Sequence, residues 1–214
     1  NLIDKESLRE MKSAGCIQVD IGCESGSNKI LKNLKKGIKV EHIINAFLCA
    51  KEVGIDTYAT FILGNPGETI KDIEETERVA KQINSRVNFL ILVPYPGSEL
   101  FEIAKENGWL INKDLHFSEN WTNKQSEDPV MEINFMSDNL LKMRSRLQNQ
   151  FFWKNNLKIF LSFFLHPLYF LRMFLVIFMS PRKILNAFFE SIKQRKTTIF
   201  LEAIYQKFNE GLMG

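Results

Sequence analysis

Hydrophobic and polar residues alternate along the first half of the chain in a strand–helix rhythm. Three short stretches either alternate between apolar and polar positions or are rich in β-branched and aromatic residues, as strands are: residues 17–22, 57–63 and 88–93. Between them, apolar residues recur at helical spacing. Strands that alternate with helices of this length predict βαβ crossovers and a parallel sheet.

Capping residues support the predicted helices. Asp4 suits the N-cap of the first helix, which Gly15 closes. Thr69 and Asp72 have capping-box spacing ahead of another helix. Beyond Trp109 the rhythm ends. The pattern therefore divides the chain into an α/β part (residues 1–110), an irregular excursion followed by a helix (111–150), and a helical tail (151–214).

Charge is unevenly spread over the 214 residues. The net charge is only +3, but residues 151–214 hold nine Lys or Arg against three Glu. An acidic body with a basic tail points to a surface partner for the tail, such as a membrane or another domain. The content of 45% hydrophobic and 25% charged residues is that of a globular protein with a core.

The tail contains an apolar, Phe-rich run over residues 160–179 that is long enough to span a membrane. His166, Pro167 and Arg172 interrupt it, and a mid-span Arg costs about 2.5–3.5 kcal/mol. Three alternatives stay open. The tail packs on the rest of the protein, docks as a basic-edged helical pair in a lipid interface, or spans the membrane.

Three cysteines, Cys16, Cys23 and Cys49, form an odd and sparse set. This usage is typical of a reducing compartment and predicts a cytoplasmic protein. If the tail docks in a lipid interface, the protein would be peripheral at the inner face of the membrane. Their spacing matches no local zinc or iron–sulfur motif, so core positions are expected. The chain opens without Met and runs at once into a helix, and we expect it to begin in mid-domain.

Each predicted strand ends in a distinctive loop. We call these the first rim loop (Glu24-Ser25-Gly26-Ser27), the second rim loop (Gly64-Asn65-Pro66-Gly67-Glu68) and the third rim loop (Pro94-Tyr95-Pro96-Gly97). In parallel α/β folds, ligands bind at the carboxyl ends of the strands. The three loops together therefore predict the rim of a cofactor site.

The residue types in these loops suit a nucleoside. Glu24 and Ser25 offer an acceptor and a hydroxyl, and Gly26 lets the backbone come close. The Lys36 side chain is long enough to extend over the rim and pair with a carboxylate. Pro66 stiffens the second rim loop between two glycines. Taken singly, each loop is more typical of a structural turn, and Lys36 of a solvated surface charge.

Taken in order and with their spacing, the motifs resemble the radical S-adenosylmethionine (SAM) superfamily. The resemblance is to the Elongator/methylthiotransferase-type core, in particular the C-terminal part of proteins with a cobalamin-binding domain ahead of that core. It covers about residues 1–110 and rests on Ile21-Gly22-Cys23-Glu24-Ser25-Gly26-Ser27, Lys35-Lys36-Gly37, Phe61-Ile62-Leu63-Gly64-Asn65-Pro66-Gly67-Glu68-Thr69 and Pro94-Tyr95-Pro96-Gly97-Ser98.

The resemblance implies the C-terminal half of a partial (βα)6 TIM-type barrel, with strands four to six in residues 1–110. It implies that the first rim loop lies against the ribose and methionyl part of SAM, through Glu24, Ser25 and Gly26. Lys36 would meet the SAM carboxylate. The adenine pocket would be lined from the two following strand ends, by Ile62, Gly64, Pro66 and Pro94.

Two departures limit the resemblance. A common fifth-strand motif, Gly-x-Ile-x-Gly-x-x-Glu, would need Gly at 60 and Glu at 67, where this chain has Thr60 and Gly67, with the acid at Glu68. The Cys-x-x-x-Cys-x-x-Cys motif that holds the family's [4Fe–4S] cluster is absent. The resemblance therefore places the cluster ligands upstream of Asn1, and no metal ligand is assigned here. The chain alone should then be inactive.

The leading hypothesis is part of a radical SAM enzyme that uses SAM, a [4Fe–4S] cluster and, in one version, cobalamin for methylation, cyclisation or rearrangement of a small-molecule or lipid-like substrate. An electron donor protein would be its partner. The alternatives are a methylthiotransferase-like RNA modifier and a non-catalytic, membrane-associated binding module. Phe-rich helices stand where RNA modifiers usually carry a small β-barrel, which disfavours nucleic acid.

Overall fold

The computed structural model describes residues 3–111 and 129–165, with side chains as far as Phe151. Three strands form one parallel sheet: β1 (Gln18–Glu24), β2 (Asp56–Leu63) and β3 (Arg86–Ile91). They lie side by side in chain order. The predicted α/β class with parallel strands is confirmed, and the order is that of consecutive strands in a TIM-type barrel.

Helices connect and follow the strands. Their bounds are α1 (Lys5–Ser13), α2 (Asn28–Asn33), α3 (Val40–Val53), α4 (Ile70–Gln82), α5 (Glu99–Glu106) and α6 (Ser137–Leu165). The predicted caps are present, since Asp4 accepts from the Ser7 N–H at 2.8 Å and Thr69 caps α4. The helix expected from Ser137 is present as well.

Strand β3 differs from its prediction. Residues 88–93 were expected, but the ladder with β2 begins at the Tyr58–Arg86 pair and ends at Leu63–Ile91. Arg86 pairs with Tyr58 at the start of the ladder, and its guanidinium lies over the Tyr58 ring, 5.6 Å from the centroid. A polar residue thus begins the strand, and the apolar run in the sequence does not mark its start.

One face of the sheet is buried against the helices, and the other is half-exposed. Phe61 and Phe89 stack on the buried face with ring centroids 5.8 Å apart, and Phe151 of α6 lies 5.6 Å from Phe89. Thr60 and Asn88 are neighbours on the opposite face, each half-buried. The sheet therefore presents one partly polar face that the described helices leave uncovered.

Contacts divide the chain into one unit over residues 1–155 and a second over residues 156–214. The sheet and its loops belong to the first unit. Within the described residues, no helix combines the length and the apolar character that a membrane crossing requires. The predictions for the excursion at 112–128 and for the tail from residue 166 onward lie outside the described residues.

Candidate functional site

The first rim loop begins with a carboxylate–ammonium pair. Lys36 donates from Nζ to Glu24 Oε1 at 2.7 Å. Glu24 has a φ of +63°, where non-glycine residues are strained, and the β1–β2 register shifts between Gly22 and Glu24. Glu24 is the last residue of β1 and therefore lies at the carboxyl end of the sheet. The structure thus brings Glu24 and Lys36 together; their contact with SAM stays a prediction.

Ser25 and Gly26 of the same loop are turned toward helix α4. Ser25 is fully buried, with Oγ 3.3 Å from Thr76 Oγ1. The Gly26 N–H donates to Thr76 Oγ1 at 2.9 Å. The close approach that a glycine permits here is to the α4 backbone, since a Cβ on Gly26 would lie 2.4 Å from Thr76 Cα. The role of both residues toward a nucleoside stays a prediction.

Asp72 ties the first rim loop to the residue that follows the second. Its carboxylate accepts from Ser27 Oγ at 2.7 Å, from Lys29 Nζ at 2.5 Å and from the Thr69 N–H at 2.8 Å. Burial alone would raise the pKa of Asp72, but hydrogen bonds from Lys29, Thr69 and Ser27 together hold it well below its ordinary value. Sequence analysis found Asp72 only as a capping residue.

Replacing Asp72 by Asn is expected to destabilise the fold by about 2 kcal/mol near neutral pH, because charge-assisted hydrogen bonds to a buried carboxylate are lost. The folded-state pKa lies below the ordinary 3.8, so the wild type has this stability above pH 3.8 and loses it as pH falls through the folded pKa. Urea unfolding at several pH values should show the difference shrinking in acid.

A surface carboxylate provides the control for this measurement. Glu52 pairs with Lys5, and both side chains are well exposed. The Glu52→Gln variant is therefore expected to unfold almost like the wild type. Equal losses in the two variants would contradict the role given to Asp72.

The second rim loop is braced from inside by Glu68. This side chain is 1% exposed, and its Oε2 accepts from the Gly64 N–H at 2.6 Å and from the Asn65 N–H at 3.2 Å. Burial raises the pKa of Glu68, and the hydrogen bonds from Asn65 and Gly64 partly offset the rise. Gly64 and Gly67 both have positive φ, as the tight turn requires. The loop is thus a rigid turn that exposes Pro66 in part.

One polar atom of the Asn65 side chain is not satisfied by the hydrogen bonds of the described residues. Its Nδ2 donates to the Ile62 carbonyl at 2.8 Å and to Glu68 Oε1 at 3.2 Å. Its Oδ1 is buried and has no hydrogen-bond partner among the described residues. Such an atom costs free energy unless something pairs with it. This unpaired oxygen lies inside the second rim loop, and it has no signal in the sequence.

The third rim loop lies next to the second. The Leu92 N–H donates to the Leu63 carbonyl at 2.8 Å, which carries strand pairing past the end of β3. Pro94 is buried, whereas Tyr95 is 42% exposed. Lys35 reaches Glu99, at the start of α5, with distances of 2.8 and 2.9 Å. Lys36 therefore contacts the first rim loop, and Lys35 contacts the helix that follows the third rim loop.

The described residues do not provide a cluster-binding set. The thiol of Cys23 is fully buried, and burial raises its pKa to about 12, which disfavours the thiolate that an iron–sulfur cluster needs. Within residues 3–111 and 129–151 no three His, Cys, Asp or Glu side chains lie together as metal ligands. The residues present therefore do not fit a [4Fe–4S] cluster, whereas the partly exposed carboxylate of Glu24 and ammonium of Lys36 suit the polar groups of a nucleoside.

Comparison with known proteins identifies several relatives of this chain. An uncharacterized methyltransferase from Pyrococcus horikoshii is 32% identical over 169 residues, or 78% of this chain and 33% of that protein. A putative methylthiotransferase from Methanocaldococcus jannaschii is 34% identical over 103 residues, or 48% and 23%. The structure of coproporphyrinogen III oxidase from Escherichia coli, a radical SAM enzyme, aligns with a TM-score of 0.49 at 15% identity, over 69% of this chain and 30% of that one.

The chain spans about a third or less of the length of the curated relatives that it matches. The sequence profile of the radical SAM superfamily matches residues 1–80, which include the first two rim loops and Lys36. This segment therefore belongs to the radical SAM superfamily.

Proposed function

We propose that this chain is the nucleoside-holding part of an enzyme that uses SAM for radical modification of an organic substrate. The observation that carries the proposal is the convergence of three rim loops at one edge of a parallel sheet, with the Glu24–Lys36 pair at 2.7 Å on that rim. Within the site, Lys36 would neutralise the SAM carboxylate, Glu24 would accept from the ribose or the amino group, and the second and third rim loops would line the adenine.

A [4Fe–4S] cluster, which the described residues do not hold, would supply the electron for radical cleavage of SAM. The cluster ligands would come from sequence outside this chain, as would any cobalamin-binding domain. The substrate would be a small molecule or lipid-like, and an electron donor protein would reduce the cluster. Methylation is the reaction type that the Pyrococcus horikoshii relative, an uncharacterized methyltransferase, supports.

An RNA-modifying methylthiotransferase is the second candidate, since one relative is named a putative methylthiotransferase. Transfer of a methylthio group to tRNA by the purified protein, in place of small-molecule turnover, would favour it.

For the membrane-associated alternative, flotation of the protein with anionic phosphatidylserine vesicles at low salt tests the tail. Absence of co-migration would reject surface binding through residues 151–214.

The Lys36→Ala variant tests the proposed SAM site. Losing a charge-assisted contact to a carboxylate should weaken the binding of S-adenosylhomocysteine about tenfold. The affinity is measured by calorimetry on the anaerobically purified protein from its natural reading frame, together with formation of 5′-deoxyadenosine from SAM and dithionite.

The neighbouring lysine is a matched control. Lys35 pairs with the exposed Glu99, so Lys35→Ala should leave the affinity unchanged. Equal losses in both variants would indicate a general effect of charge. A wild-type protein that holds a full cluster but forms no 5′-deoxyadenosine would refute the proposed function.

A further inference from the structure

The segment after the sheet is fixed at its start. Residues 131–140, which we call the post-sheet segment, begin with an antiparallel bridge between Leu110 and Met131. The Glu132 N–H donates to the Trp109 carbonyl at 2.9 Å, and Met131 is 5% exposed. The segment therefore leaves the α/β part from a defined position.

Helix α6 fixes the other end of the segment. Leu140, Leu147 and Phe151 are each buried in the core that the sheet forms with its helices. Two further side chains of α6 bind the backbone of β3: Arg144 donates from Nε to the Phe89 carbonyl at 3.0 Å, and Gln148 accepts from the Phe89 N–H at 3.3 Å. A segment held at both ends has little freedom to drift.

Between these anchors, the segment touches the second rim loop at two points. Asn134 donates from Nδ2 to the Asn65 carbonyl at 2.8 Å. The Leu140 side chain covers Gly64 so closely that a Cβ there would lie 2.9 Å from Leu140 Cδ2. Glu68 holds the N–H groups of the same two loop residues. The Gly64–Asn65 backbone is thus held by groups from both before and after α5.

We propose that Asn134 and Leu140 are positioning residues for the nucleoside, acting through the second rim loop. The inference rests on the proposed function. It assigns part of the affinity for SAM to residues beyond the segment that matches the superfamily, which ends at residue 80. The consequence is that sequence changes after the sheet alter nucleoside binding without touching the nucleoside.

Two substitutions test this inference. Asn134→Asp replaces the donor by an acceptor that faces the Asn65 carbonyl, and Leu140→Ala removes the cover on Gly64. Both should weaken S-adenosylhomocysteine binding about three- to tenfold, which is the effect expected from the loss of one hydrogen bond or a few methyl contacts. Hydrogen exchange of the peptide covering residues 61–68 should become faster in both variants.

The control lies on the same helix. Arg146 is 60% exposed and pairs with Glu77 of α4 at 2.9 Å, away from the loop, so Arg146→Ala should change neither readout. Because Asn134 is exposed, its variant tests the inference even if Leu140→Ala loses stability. Wild-type affinity and exchange in Asn134→Asp would overturn the inference while the proposed function stands. A wild-type protein that does not bind S-adenosylhomocysteine would overturn both.

Discussion

Gly26→Ala is expected to destabilise the protein by about 3 kcal/mol, because the added methyl group meets backbone and no flexible side chain. Its Cβ would lie 2.4 Å from Thr76 Cα and 2.8 Å from the Glu75 carbonyl oxygen. The first rim loop must then move away from α4, which breaks the hydrogen bond from the Gly26 N–H to Thr76. Urea denaturation followed by circular dichroism measures the loss.

Gly37→Ala separates this clash from the general effect of adding a methyl group. Gly37 has a φ of +72°, and a Cβ there would meet nothing within 4 Å. Only the left-handed backbone penalty remains, at about 1 kcal/mol. A Gly26→Ala variant no less stable than Gly37→Ala would show that the first rim loop does not depend on contact with α4.

Glu68→Gln is expected to destabilise the protein by about 2 kcal/mol in mild acid, because the amide nitrogen cannot accept the hydrogen bond from Asn65 Nδ2 that a carboxyl oxygen accepts. The folded-state pKa of Glu68 is raised above its ordinary 4.5. The protonated side chain is therefore favoured by folding. Its stability is fully present below pH 4.5 and declines as pH rises through the folded pKa.

The loss caused by Glu68→Gln should accordingly be largest in acid and smaller at neutral pH, which is the opposite trend to Asp72→Asn. Denaturant unfolding of both variants across the same pH series checks the two signs together. Glu99→Gln, at an exposed carboxylate, serves as the control and should follow the wild type at every pH. A pH-independent loss in Glu68→Gln would contradict the burial argument.

Local sequence signals were enough for most element boundaries. Asp4 and Thr69 cap their helices through backbone donors three residues away, and such contacts depend only on neighbouring residues. Gly54 closes α3 in the left-handed conformation for the same local reason. The end of β1 was harder to predict from the sequence, because its register shift before Glu24 depends on pairing with β2.

The site was harder to predict, since its bracing contacts join distant parts of the chain. Asp72 reaches Ser27 across 45 residues, and Asn134 reaches Asn65 across 69. Nothing in the spacing of single polar residues reveals such pairs. The rim loops themselves were readable because they follow the strands, and the carboxyl ends of parallel strands meet at one edge. Which of their atoms face a ligand depends on the packing of α4 and α6.

The Arg144 and Gln148 contacts to Phe89 also bear on self-association. A hydrophobic strand with free N–H and carbonyl groups along one side tends to recruit strands from other molecules, and proteins commonly counter this with lysines, prolines or bulges in the strand. Here Arg144 and Gln148, one helical turn apart on α6, bind the carbonyl and the N–H of Phe89 instead. The Phe89 backbone at the middle of β3 is therefore not available to pair with a strand of another molecule.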